Sequence, residues 1–116
     1  MYEYRAKVIS VYDADTFRVD IDLGFGVWMM NQSVRWLKID AWEVRGEERE
    51  KGLIARDRLR ELVLDQYVIL KTYKDDKGKY GRWLAVVYFD DEAPKEWEYS
   101  INQQMINEGH AISYPG

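Results

Sequence analysis

Thr16-Phe17-Arg18-Val19-Asp20-Ile21-Asp22-Leu23 decides the fold class. Apolar and polar residues alternate through it without a break. Successive side chains of a strand point to opposite faces. Phe17, Val19, Ile21 and Leu23 therefore share one face, and Arg18, Asp20 and Asp22 share the other. Gly24-Phe25-Gly26 follows as a turn. Upstream, residues 4–12 are rich in β-branched and aromatic side chains and predict a strand. Downstream, residues 27–39 predict a third strand, long and bent.

The period changes over residues 50–64. Ala55, Leu59, Leu62 and Val63 fall at the spacing of an amphipathic helix, and Arg56, Asp57, Arg58, Arg60 and Glu61 cover much of the rest. Residues 66–74 and 82–89 are strands again, joined by a polar turn containing Gly78, and 90–99 read as an exposed loop. Ser100 with Gln103 forms the start signal of a second helix. Its buried side would be Ile101, Met105 and Ile106, and Gly109 is placed just past its end. Three strands, a helix, two strands and a helix predict a mainly β protein. The order suits a five-stranded Greek-key barrel of the OB type, with a helix between the third and fourth barrel strands.

The chain has 116 residues, enough for a single domain over 1–116 with one modest core. With no cysteine, disulfides and thiolate metal sites are excluded, and any metal must be held by oxygen or by the lone His110. A plain structural or surface role suits His110 better. No stretch approaches the roughly 20 apolar residues of a membrane span. The chain opens on a strand pattern rather than a basic-then-apolar leader. It is expected in the cytoplasm, or secreted if a leader precedes this sequence. The net charge of −4 counts against a large phosphate-binding surface but permits a local basic patch beside clustered carboxylates.

Three clusters carry chemistry. Asp13-Ala14-Asp15-Thr16 stands at the head of the alternating strand, with Asp15 in the parity of Phe17, Val19 and Ile21. An inward carboxylate is expensive without a partner such as a metal. A turn, where Asp is common, is the plain alternative. Next comes Arg35-Trp-Leu-Lys-Ile-Asp40-Ala41-Trp42-Glu43, in which Arg35 shares parity with Leu37 and Ile39. A base followed by two acids suits a phosphate clamp beside a metal and a general base, or a cross-strand ion pair with surface charge. The third is Lys79-Tyr80-Gly81-Arg82 at a hairpin, where Arg can hold phosphate through two hydrogen bonds or simply be solvated. Together they supply what phosphodiester cleavage needs: hard oxygen ligands, a base for water, and fixed positive donors.

On these residues the chain resembles the staphylococcal nuclease (thermonuclease) family. Asp13-Ala14-Asp15-Thr16 resembles the family's Asp-Gly-Asp-Thr, and Arg35 to Glu43 resembles its Arg-x4-Asp-Thr-Pro-Glu. Lys79-Tyr-Gly-Arg82 matches its Lys-Tyr-Gly-Arg, and residues 101–111 resemble its closing Val-Asn-x-x-Leu-Val-x-x-Gly-x-Ala. The resemblance implies an OB barrel and a calcium-dependent nuclease that accepts DNA and RNA, cuts the bond to the 5′ oxygen and leaves 3′-phosphate ends. It implies that Asp15, Asp40 and the main-chain carbonyl of Ala41 hold Ca2+. Glu43 would activate water, and Arg35 and Arg82 would bind the phosphate. Lys79, Tyr80 and Tyr114 would line the nucleotide pocket. Ala14 stands for the family's turn glycine, Ala41-Trp42 for its Thr-Pro, and residues 90–99 read as an insertion.

Two other readings compete. A non-catalytic OB module could stack single-stranded nucleic acid on aromatics, or bind a protein partner. The five tryptophans and nine tyrosines give it material. A calcium-binding structural domain leaves Arg35 and Arg82 unexplained. Retention of all five key side chains favours the nuclease.

Overall fold

The computed structural model describes residues 2–44, 46–74 and 83–114. Lys79, Tyr80 and Arg82 lie outside the described residues. Among the described residues there are seven strands: β1 (Tyr2–Val11), β2 (Thr16–Gly24), β3 (Val27–Trp36), β4 (Ile39–Ala41), β5 (Tyr67–Lys74), β6 (Trp83–Phe89) and β7 (Ala111–Ser113). Helix α1 (Arg49–Val63) lies between β4 and β5, and α2 (Ile101–Asn107) lies between β6 and β7.

Five strands close a barrel in the order β1-β2-β3-β6-β5. This is the OB-type barrel expected from the sequence. Its closing seam is the parallel pairing of Val34 to Trp36 with Trp83 to Ala85, while its other neighbours are antiparallel. The β1–β2 register slips between Val8 and Ser10, and the β2–β3 register slips at two places. Such irregularities coil strands strongly enough for a few of them to close on themselves. Val8, Val11, Phe17, Val19, Val34, Trp36, Leu70, Ala85 and Val87 fill the core. The alternation of β2 holds for Phe17, Val19 and Ile21. Leu23 leaves the row and is exposed, because the β2–β3 turn begins beside it.

The third strand divides where a single bent one was expected. In β3 the inward row is Val34 and Trp36, and Arg35 has the opposite parity. Lys38 then adopts φ 65°, a left-handed conformation that redirects the chain, and Leu37 N–H donates to Ala85 O at 2.9 Å. Ile39, although of Arg35's parity, is therefore buried on a separate element. That element, β4, pairs outside the barrel with β7: Ile39 with Ser113, Asp40 with Ile112, Ala41 with Ala111.

Helix α2 sets the position of β7. The Ser100 hydroxyl accepts from Gln103 N–H at 3.1 Å, so the expected N-cap forms. The reciprocal half of the capping box does not form as expected, because Gln103 Oε1 accepts instead from Trp97 Nε1. Gly109, at φ 80°, turns the chain from the helix into β7. Asn102 ties the assembly together from a fully buried position. Its Oδ1 accepts from Val87 N–H, and its Nδ2 donates to Leu37 O and Ala85 O. The loop over 90–99 carries a single 3-10 turn, Trp97–Tyr99. Among the described residues, no helix is long and apolar enough to cross a membrane.

Candidate active site

The Asp13–Thr16 turn aims Asp15. Asp13 Oδ1 accepts from Asp15 N–H at 2.9 Å and Thr16 N–H at 3.0 Å, so Asp13 builds the turn and Asp15 projects from it. From below, the indole of the buried Trp36 donates to Ala14 O and tilts against Phe17, ring centroids 5.2 Å apart. Alanine thus serves where a turn glycine was the family pattern, its methyl fully buried.

Asp15 is buried at 7% exposure and meets Asp40 of β4. Burial pushes its carboxyl up to about 7, with the neighbouring Asp40 carboxyl adding to the rise through charge and a hydrogen bond. Arg35 opposes the rise. Its Nε lies 3.7 Å from Asp15 Oδ2, and its Nη2 lies 3.5 Å from Asp40 Oδ1. At these lengths the guanidinium is held by charge and not by full hydrogen bonds to the two aspartates. Ala41 N–H approaches Asp15 Oδ1 at 3.4 Å, closing the contact between the turn and the ribbon. Tyr114, just past β7, donates its N–H to Lys38 O at 2.7 Å and presents its ring 5.8 Å from the Arg35 guanidinium.

The structure thus brings Asp15, Arg35, Asp40, Ala41 and Tyr114 together from four stretches of chain. Glu43 follows in the half-buried loop leading to α1. Among the described residues, no three carboxylate or imidazole side chains gather as a metal cluster. His110 lies elsewhere, 3.6 Å from Glu108. The paired aspartates suit a hard cation, since both offer oxygen and crowd each other without one. Main-chain oxygen and water would have to complete its shell.

Two residues escaped the sequence reading. Trp42 was noted as a substitution, yet the residue is an anchor: its main-chain N–H donates to His110 O at 3.1 Å, its indole Nε1 donates to Gly109 O at 2.8 Å, and Lys51 Nζ sits 4.9 Å over the ring. Gly52 is buried in α1 against the backbone of Glu43. A glycine interrupting a helical pattern was the available signal.

The family model described as staphylococcal nuclease homologue matches residues 33–115. That span includes Arg35, Asp40, Glu43 and Tyr114, whereas Asp15 lies before it and is brought in by the barrel. Among curated proteins, D-xylose-proton symporter-like 3, chloroplastic, of Arabidopsis thaliana is 32% identical over 77 residues, covering 55% of this chain. The chain spans only 14% of that protein's length.

Proposed function

The chain belongs to the family of staphylococcal nuclease homologues, a nuclease-type or nucleic-acid-binding OB module, and from that premise we propose that it is a metal-dependent endonuclease of DNA and RNA. The observation that carries this reading is the meeting of the buried Asp15 with the partly exposed Asp40 at the Arg35 guanidinium. An ordinary structural ion pair needs one acid for one base. Two acids pressed together, one of them buried, outnumber the single charge of Arg35 and leave a negative charge that a further cation would offset.

Asp15, Asp40 and the Ala41 carbonyl would hold Ca2+. When bound, the ion would polarise a phosphate oxygen and neutralise charge building on it. The Arg35 guanidinium binds the scissile phosphate and stabilises its five-coordinate transition state, joined in this reading by Arg82. Glu43 takes a proton from the attacking water. Water oxygen bonds to phosphorus, the bond to the 5′ oxygen breaks, and that oxygen leaves as a hydroxyl after gaining a proton. The phosphate stays on the 3′ side. Tyr114 flanks Arg35 and offers its ring to a nucleotide, a role this reading also gives Lys79 and Tyr80.

The test is cleavage of a fluorescent single-stranded DNA oligonucleotide, with an RNA control, in calcium, in magnesium and in chelator, with Glu43→Gln beside the wild type. Calcium-dependent cutting is expected, reduced about 100-fold or more in the variant. A folded wild type that binds the oligonucleotide and cuts neither substrate would make the domain a binding module instead.

A further inference from the structure

The carbonyl of Glu43 rests on Gly52, the fourth residue of α1. A Cβ at position 52 would lie 1.9 Å from the Glu43 carbonyl oxygen, 2.2 Å from its carbon and 2.7 Å from Val44 N. All three atoms are backbone, so no side chain can swing aside. Helix α1 cannot retreat easily either. Ala55, Leu59 and Val63 are buried in the core, and Arg60 donates twice to Val11 O, at 3.0 and 2.7 Å. On the other side of Glu43, Trp42 is fastened to the turn between α2 and β7 through His110 O and Gly109 O. The Glu43 peptide therefore lies between the anchored residue Trp42 and helix α1.

Helix formation does not explain glycine here, because glycine is among the poorest residues for a helix interior. Close approach does. We infer that Gly52 is a positioning residue for Glu43, with Trp42 as the opposing jaw, so that the Asp40–Glu43 segment keeps its aim without the rigid proline of the family pattern. The inference rests on Glu43 acting as the base. Gly52 touches neither substrate nor metal and acts only by excluding a side chain. Any residue with a Cβ would drive the Glu43 peptide away by about an ångström, a displacement of the size that can cost about 100-fold in turnover.

The experiment is a double-mutant cycle with Gly52→Ala, Glu43→Gln and the pair, reading kcat and KM on the oligonucleotide together with the melting midpoint and calcium affinity by calorimetry. Gly52→Ala is expected to lower kcat about 100-fold in the wild-type background and less than about threefold in the Glu43→Gln background. Calcium affinity should stay within about threefold, since Asp15 and Asp40 are not displaced. A loss of equal size in both backgrounds, or no loss in either, overturns the inference while leaving the nuclease standing. A Glu43→Gln variant as fast as the wild type, or an inactive wild type, removes the premise as well. Should Gly52→Ala fail to fold by circular dichroism, Trp42→Phe run through the same cycle decides. That variant keeps a ring but cannot donate to Gly109 O, and its loss should likewise vanish in the Glu43→Gln background.

Discussion

Asp15 was legible as an inward carboxylate because a strand has a strict period of two and Phe17, Val19 and Ile21 define its inner face. Its partner in space was not legible. Asp40 reaches it only because Lys38 takes a left-handed conformation and moves the chain from the barrel into the β4–β7 ribbon. Nothing in a lysine announces that. Parity misread Arg35 for the same reason, since the row it seemed to share with Ile39 is broken at Lys38. The arrangement has a consequence for the metal-free protein. At pH 8, above the raised value of Asp15, folding must confine two adjacent carboxylates, one of them buried. Asp15→Asn removes one charge while keeping its shape and its acceptor oxygen. We expect the variant to melt higher than the wild type in chelator at pH 8 and to lose the calcium-induced rise in melting temperature. The wild type should show that rise, corresponding to about 2.7 kcal/mol of added stability when calcium is present at 100 times its dissociation constant. A variant less stable than the wild type in chelator would mean that Arg35 already compensates both acids.

Elements were easier to read than contacts between them. Both helices appear within a residue or two of where their periodicity placed them, because α1 has a clear apolar stripe and α2 has Ser100 and Gly109 at its ends. Their anchoring to the rest of the molecule escaped, because it runs through charged and polar side chains that also suit an ordinary solvated surface. Asn102, which ties α2 to β6 and Leu37, is one such case. Another joins α1 to the C-terminal end of α2: Arg58 Nε and Nη2 donate to the two oxygens of Glu108 at 2.7 and 3.2 Å. A carboxylate at that helix end faces the negative pole of the helix dipole, and Arg58 offsets it. Hydrogen bonds from Arg58 first, then from Gln104, draw the Glu108 carboxyl down to about 2. Because its folded value lies below the unfolded one, this group stabilises the fold above about pH 4.5 and loses that contribution as pH falls towards 2. Glu108→Gln should therefore flatten the acid limb of the stability curve between those values and leave its slope near neutrality unchanged. Urea melts at half-unit intervals of pH would show an unaltered acid limb if the pairing contributes nothing in solution.

At the scale of the molecule, the proposed function asks an acidic protein of net charge −4 to receive a polyanion. Many of its described bases are already matched: Arg5 with Asp90, Arg56 with Asp57, Arg58 with Glu108, and Lys95 with Asp91. Arg18 donates to Asn31 and Arg60 to Val11. Among the described residues these pairings leave fewer bases to meet a polyanion, and in the proposed function attraction is concentrated at the site, on Arg35, Arg82 and Lys79. About three neutralised phosphates on a single strand correspond to a slope of log affinity against log salt near −2. Anisotropy of a labelled single strand on the Glu43→Gln variant in calcium, from low to physiological salt, should give a slope of that shallowness. A slope of about −5 or steeper would require a second basic surface engaging the strand. The shallow outcome would describe an enzyme whose grip is set by the metal and Arg35 more than by its overall field. Turnover would then depend on how well Glu43 is aimed, which is where Gly52 and Trp42 act.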